Sequence, residues 1–152
     1  MKIFIIGGPG TGKTYLAERL AKDFEISHYD LDNLQWDNQA VTYGVKRDSQ
    51  ERNKLLNQIL QQENWIVEGV YHTWCGRCFE ESDKIYLLNA PRYLYRYRII
   101  RRFIRRKLGI ENGKKETLKS LINLLKWAEK YQSNNMMEIK EILKNYTDKV
   151  IE

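Results

Sequence analysis

The sequence predicts an α/β fold: a parallel sheet of about five strands with helices on both faces, three layers in all. Three observations predict it. Short apolar runs rich in β-branched residues alternate with stretches whose apolar residues recur every three or four positions. The runs stay apolar along their length, as strands buried on both faces do. The first run also leads through a glycine-rich loop straight into a helical pattern, a unit at home in alternating strand–helix architecture.

The first strand is Lys2-Ile3-Phe4-Ile5-Ile6. Gly7-Gly8-Pro9-Gly10-Thr11-Gly12-Lys13-Thr14 follows and fits G-x-x-x-x-G-K-[ST]. Tyr15, Leu16, Leu20 and Phe24, with Ala17 and Ala21 beside them, then mark a helix ending near Lys22-Asp23. Between a strand and a helix, such a loop turns consecutive backbone N–H groups onto phosphate oxygens, and the helix adds its positive N-terminal end. Lys13 is expected to reach the β- and γ-phosphates, and the Thr14 hydroxyl to take a place on Mg²⁺. The chain therefore reads as a three-layer P-loop NTPase fold that binds a nucleoside triphosphate.

A second strand is predicted over Phe24 to Tyr29, with Asp30-Leu31-Asp32 where it stops. Ligands of open α/β sheets gather outside the carboxyl ends of the strands. Asp30 and Asp32 there could orient Mg²⁺ through water or accept the proton of an attacking hydroxyl. Trp36 is either a pocket wall or a lid on the core. Asn38 to Lys46 reads as loop. Asp48 and Glu51 then make a capping box for a helix marked by Leu55, Leu56, Ile59 and Leu60. Lys46 and Arg47 precede that cap, where cations oppose the helix dipole, so they read as aimed at an anion.

Trp65-Ile66-Val67-Glu68 is the third strand, closed by Gly69, and puts Glu68 near the phosphates. In Tyr71-His72-Thr73-Trp74-Cys75-Gly76-Arg77-Cys78, the two cysteines read as ordinary thiols and Arg77 as an anion contact. Lys84 to Asn89 is the fourth strand. After Pro91, Tyr93, Tyr97, Ile100 and Ile104 suggest an inward-facing stripe, with Arg98, Arg102 and Arg105 or Arg106 on another face. Like charges one turn apart cost stability, which a triphosphate gripped by guanidinium groups would offset. Gly109 to Lys115 breaks the pattern. Leu118, Leu121, Ile122, Leu125 and Ala128 form a helix that Ser133-Asn134-Asn135 is expected to stop. Ile139, Ile142, Leu143 and Tyr146 form another, and Lys149-Val150-Ile151 is a candidate last strand.

The 152 residues suit one domain, with a helical lid region around 98–132. The 26 Lys and Arg against 20 Asp and Glu leave a net charge of +6, much of it between Arg92 and Lys107. Such a cluster suits nucleic acid, an anionic surface or a phosphorylated ligand alike. A strand starting at residue 2 leaves no space for a signal peptide, and no apolar run approaches a membrane span, so a cytoplasmic protein is expected.

These pieces resemble the adenylate-kinase-like branch of P-loop kinases, and most closely the bacterial DNA topology modulation proteins. The resemblance covers roughly residues 1–108. It rests on the glycine loop, on Leu31-Asp32-Asn33-Leu34-Gln35-Trp36, on Trp65 to Gly69, on Arg77, and on Pro91-Arg92-Tyr93-Leu94 running into Arg98, Arg101 and Arg102. It implies that Glu68 lies near the metal, and that Arg98 and Arg102 hold the nucleotide, one on adenine and one on phosphate. It also implies that Asp32 and Arg47 face the phosphoryl acceptor. Asn89 stands where that family carries Asp, and Asp30 where it carries an uncharged residue or His.

The expected activity is ATP-dependent phosphoryl transfer to a small-molecule acceptor, a nucleoside or nucleotide, with Mg²⁺. Lys13, Asp32, Arg98 and Arg102 would act on the reaction, and Thr14, Glu68 and Asp30 on the metal. Asp32, Trp36, Arg47, Glu68 and Arg77 would hold the acceptor. The competing reading is an ATP-dependent regulator associated with nucleic acid, although no base-reading module is visible.

Overall fold

The computed structural model describes residues 1–42, 44–113 and 116–152. Tyr43 of the expected Asn38–Lys46 loop, and Lys114 and Lys115 of the expected break, lie outside them. Five strands form one parallel sheet: β1 (Lys2–Gly7), β2 (His28–Asp30), β3 (Trp65–Gly69), β4 (Lys84–Leu88) and β5 (Val150–Ile151). Their order across the sheet is β2-β3-β1-β4-β5. Every pairing is parallel. The chain moves outward from β1 to β2, returns to β3, then crosses to the other side for β4. A crevice therefore opens at the carboxyl end of β1, where connections leave in opposite directions.

Strand alternation divides the core. Ile3 and Ile5 point to one face, where Ala17, Leu16 and Leu20 of α1 (Lys13–Phe24) cover them. Phe4 and Ile6 point to the other and pack with Leu56, Phe79, Met136 and Ile139. These come from α3 (Ser49–Leu60), α4 (Gly76–Glu81) and α7 (Met136–Leu143). A one-turn α2 (Asp32–Gln35) lies between β2 and α3. On β4's flank, α5 (Arg92–Lys107) packs on α6 (Leu118–Lys130) through Tyr95, Ile99, Phe103, Leu121 and Ala128.

Four expectations need correction. The second strand begins at His28, because α1 continues through Phe24 and ends with Glu25 in the left-handed region at φ 56°, its N–H donating to the Ala21 carbonyl. Of the residues that suggested this helix, Tyr15 and Phe24 are exposed. On α5 the stripe Tyr93, Tyr97, Ile100 and Ile104 faces outward, Tyr93 being 75 % and Tyr97 60 % exposed, whereas Tyr95, Ile99 and Phe103 are buried. Both stripes have helical spacing, and only the position of α6 selects between them. Finally, Ser133-Asn134-Asn135 does not stop the helix. Tyr131–Asn135 forms a π-turn and the chain runs on into α7. The widened turn admits one extra residue without breaking the rod.

Asp48 caps α3 as expected, accepting from the N–H groups of Gln50 and Glu51 at 2.9 and 3.4 Å. The return half of the capping box is absent, because the Glu51 carboxylate accepts from Arg47 Nη1 at 3.0 Å.

Candidate functional site

The glycine loop joins the carboxyl end of β1 to the N-terminus of α1. Gly10 and Gly12 take φ of 74° and 97°, a region that side chains with a Cβ rarely enter. Space is equally short: a Cβ on Gly7 would lie 2.3 Å from the Leu88 carbonyl oxygen, and one on Gly10 2.7 Å from that of Tyr95. Thr11 Oγ1 and Lys13 Nζ both donate to the Gly8 carbonyl, at 2.7 and 2.9 Å. Arg98 Nη1 donates to the carbonyls of Thr11 and Gly10 at 3.1 and 3.3 Å, tying α5 to the loop. With these carbonyls engaged by donors, the loop's amides are left to face a phosphate.

Carboxylates gather at the neighbouring strand ends, brought level by the pairing of Asp30 with Glu68 in the β2–β3 register. Thr14 Oγ1 donates to Glu68 Oε1 at 2.6 Å. Asp30 Oδ1 accepts from the Asp32 backbone N–H at 2.8 Å. Burial alone would raise the Glu68 carboxyl, but His28, the Thr14 hydroxyl and Lys13 outweigh it and hold the carboxyl below its usual range. His28 Nε2 stands 3.6 Å from Glu68 Oε1 and finds no hydrogen-bonding partner among the described residues. That distance is too long for a hydrogen bond, so we read the pair as charge attraction, which raises the His28 pKa. Asp30 is pushed up to about 6 by burial, with Glu68 and Asp32 adding to the rise against the Asp32 N–H.

Lys13 is buried, 8 % exposed, and burial lowers its pKa while Glu68, Asp32 and Asp30 pull it back. Burial and Arg106 likewise lower Arg102, which feels Asp32 in turn. Asp32 thus bears electrostatically on both Lys13 and Arg102. The Tyr71 hydroxyl donates to Asp32 Oδ1 at 2.7 Å, with Trp36 close by.

The structure brings Lys13, Thr14, Asp30, Asp32, Glu68, Arg98 and Arg102 together around the loop, with half-buried Trp36 beside Tyr71. Two residues expected to face an anion are engaged elsewhere. Arg47 donates through Nε to the Leu34 carbonyl at 3.1 Å, through Nη2 to those of Asn33 and Trp36, and through Nη1 to Glu51. It closes the C-terminal end of α2, whose carbonyls would otherwise lack donors. Arg77 pairs with Glu81, Nε to Oε1 at 2.8 Å, and donates to Asn57 Oδ1. Cys75 and Cys78 are buried free thiols; Cys75 Sγ donates to the Tyr71 carbonyl at 2.7 Å, and the neighbouring Cys78 thiol together with burial raises the Cys75 pKa.

Sequence reasoning missed Tyr71 and His28. Both carry the signal used for Asp30 and Glu68: His28 shares a face of β2 with Asp30, and Tyr71 stands two residues past the carboxyl end of β3. The π-turn adds two more. Tyr131 donates to the Val70 carbonyl at 2.7 Å and lays its ring beside Gly8, while Gln132 donates to Asn89.

For Mg²⁺, the donor set is a hydroxyl and carboxylates, hard oxygens suited to that ion. No group of three or more His, Cys, Asp or Glu side chains gathers to hold a metal among the described residues. Mg²⁺ commonly takes only one or two protein oxygens and leaves the rest to water and phosphates. Thr14 and Glu68, already in contact, fit that pattern.

No family model matches the chain, and no curated protein matches it either. Solved structures do share its fold. A shikimate kinase from Acinetobacter baumannii in complex with shikimate aligns with TM-score 0.61 at 16 % identity, over 93 % of this chain and 80 % of that one. A shikimate kinase from Bacteroides thetaiotaomicron aligns with TM-score 0.53 at 19 % identity, over 88 % and 79 %. A gluconokinase from Sinorhizobium meliloti 1021 gives 0.50 at 14 %, over 85 % and 73 %. The parallel five-stranded sheet with its glycine loop is thus the P-loop NTPase fold, in the form these small-molecule kinases share.

Proposed function

We propose that this protein transfers the γ-phosphoryl group of ATP to a hydroxyl of a small molecule. The observation that carries the reading is Asp32: an exposed carboxylate just past the carboxyl end of β2, bonded by Tyr71 from beyond β3, at the same carboxyl edge of the sheet as the phosphate loop. Named kinases of shikimate and gluconate share the fold, which supports a small acceptor.

In the proposed step the acceptor oxygen bonds to the γ-phosphorus while the bond to the β-phosphate oxygen breaks. Its electron pair leaves with ADP, and the acceptor proton passes to Asp32. Loop amides, Lys13, Arg98 and Arg102 orient the triphosphate and oppose its charge. Mg²⁺, held by Thr14 and Glu68, would neutralise phosphate charge. Asp30 belongs to the same carboxylate group. Trp36 would wall the acceptor site, and the segment around 98–132 would close over it as a lid.

The acceptor side is rich in carboxylates, and Arg47 and Arg77 are already paired. That favours a hydroxyl donor, such as a nucleoside, over a nucleotide presenting its phosphate. The arginines of α5 bear on the rival nucleic-acid role suggested by the resemblance to DNA topology modulation proteins. Arg92 and Arg96 pair with Glu129, Arg105 with Glu111 and Arg106 with Glu116. These four arginines share three internal carboxylates, which leaves less unpaired charge on them for a nucleic-acid backbone.

The test is a panel of nucleosides, nucleoside monophosphates and small alcohols incubated with ATP and Mg²⁺, reading ADP release. A hydroxyl acceptor should raise the release, and Lys13→Ala should abolish it. Phosphorylation of monophosphates alone would overturn the hydroxyl reading. Hydrolysis stimulated by DNA with no small acceptor would overturn the kinase reading.

A further inference from the structure

We propose that Tyr71 is a positioning residue: its hydroxyl fixes the Asp32 carboxylate by Oδ1 and leaves Oδ2 for the proton of the acceptor hydroxyl. The proposal rests on the kinase reading and names a part of the same site.

Asp32 needs such a partner. It is exposed and opens α2, a helix of only four residues, so packing does little to restrict its rotamer. The Tyr71 bond at 2.7 Å is its one side-chain hydrogen bond among the described residues. It spans from the carboxyl end of β3 to that of β2, so it fixes the carboxylate relative to the sheet that carries the phosphate loop.

Tyr71 is itself braced. Its ring lies 5.2 Å from that of Trp74, tilted by 38°. The Arg52 guanidinium sits 4.3 Å from the Trp74 ring centroid, and Arg52 Nη1 donates to Gln35 Oε1 at 3.0 Å. Gln35 lies three residues after Asp32, on the same face of α2. The contacts form a closed ring: Asp32, Tyr71, Trp74, Arg52, Gln35, and back through α2. Burial and the bond to Asp32 also hold the phenol protonated, so Tyr71 remains a donor.

This arrangement has a consequence that a merely structural role lacks. Phosphoryl transfer requires the attacking oxygen in line with the leaving one, and a shift of about an ångström in a positioning group can cost up to about a hundredfold in rate. Tyr71→Phe keeps the ring and its stacking and removes only the donor. Expected for Tyr71→Phe is a loss of about tenfold or more in kcat with the chosen acceptor, with KM for ATP unchanged. In an Asp32→Asn background the same substitution should change nothing further, because Tyr71 acts through Asp32. Trp74→Phe, which shrinks the brace but leaves the hydroxyl, should show the same pattern at smaller size. It serves as the second variant if Tyr71→Phe does not fold.

An unchanged kcat in Tyr71→Phe overturns the proposal. So does an equal fractional loss with and without the Asp32 carboxylate, which would mark an effect on the fold at large. Wild-type protein that phosphorylates no acceptor in the panel overturns the kinase reading and Tyr71's role with it. Active wild-type protein with an indifferent Tyr71→Phe overturns only the latter.

Discussion

Thr14 Oγ1 donates to Glu68 Oε1 at 2.6 Å, joining the last residue of the phosphate loop to the end of the neighbouring strand. Glu68 is 2 % exposed, and His28 Nε2 approaches the same oxygen, Oε1, at 3.6 Å, with Lys13 nearby. Its extra methylene, relative to an aspartate, carries it to the threonine that would share Mg²⁺.

Glu68→Gln keeps an acceptor for Thr14 but removes the charge. The Mg²⁺ concentration for half-maximal turnover should rise by about tenfold or more, measured by metal titration of ADP release. The His28 pKa, now raised by Glu68, should fall, and a histidine NMR titration would show it. An unmoved His28 would mean the 3.6 Å approach has no electrostatic weight.

Asp30 makes the folded protein pH-sensitive. Its pKa rises on folding from 3.8 to about 6, so the folded form holds the proton more tightly. The sign follows: this group favours the fold most below pH 4, and stability is lost as pH rises from about 4 to about 6 and the buried group ionises. Asp30→Asn retains an oxygen for the Asp32 N–H and has no charge to bury. Without Mg²⁺ it should stabilise the protein at pH 7 by about 1 kcal/mol. That gain should vanish near pH 4, as read from denaturant midpoints at both pH values.

Gly10 combines φ 74° with a carbonyl 2.7 Å from where a Cβ would stand. Gly10→Ala must distort the loop or push α5 away at Tyr95. A cost of about 1–3 kcal/mol is expected in urea unfolding, together with a weaker ATP-induced rise in melting temperature. Equal unfolding midpoints for the variant and the wild type would show that the loop relaxes around a methyl group.

Arg47 distinguishes a structural role from one in acceptor binding. Arg47→Ala leaves the carbonyls of Asn33, Leu34 and Trp36, and the Glu51 carboxylate, without this donor, at a cost of about 1–2 kcal/mol. KM for the acceptor should stay within about twofold, since each contact Arg47 makes is internal. A tenfold rise in that KM, with stability unchanged, would return Arg47 to the acceptor site.

Much of the molecule was legible from residues close together in the chain. Lys2 to Gly12 reads as strand and loop because apolar β-branched residues and glycines each have a narrow conformational use. Asp30 and Glu68 were found because strand ends are where ligands meet an open parallel sheet. The α5 stripe was misread for an equally physical reason. Tyr93-Tyr97-Ile100-Ile104 and Tyr95-Ile99-Phe103 both satisfy helical periodicity, which shows that a helix has a face but not which face meets a neighbour.

By itself, then, the sequence determined the phosphate loop, the parallel sheet and the carboxylates at the ends of its strands, since backbone preference and apolar pattern act over a few neighbouring residues. Only the tertiary structure decided that Tyr71 holds Asp32, that Arg47 closes α2, that a π-turn brings Tyr131 to Gly8, and which side of α5 is buried. Those outcomes depend on groups up to more than a hundred residues apart in the chain, brought together by packing that no local pattern records.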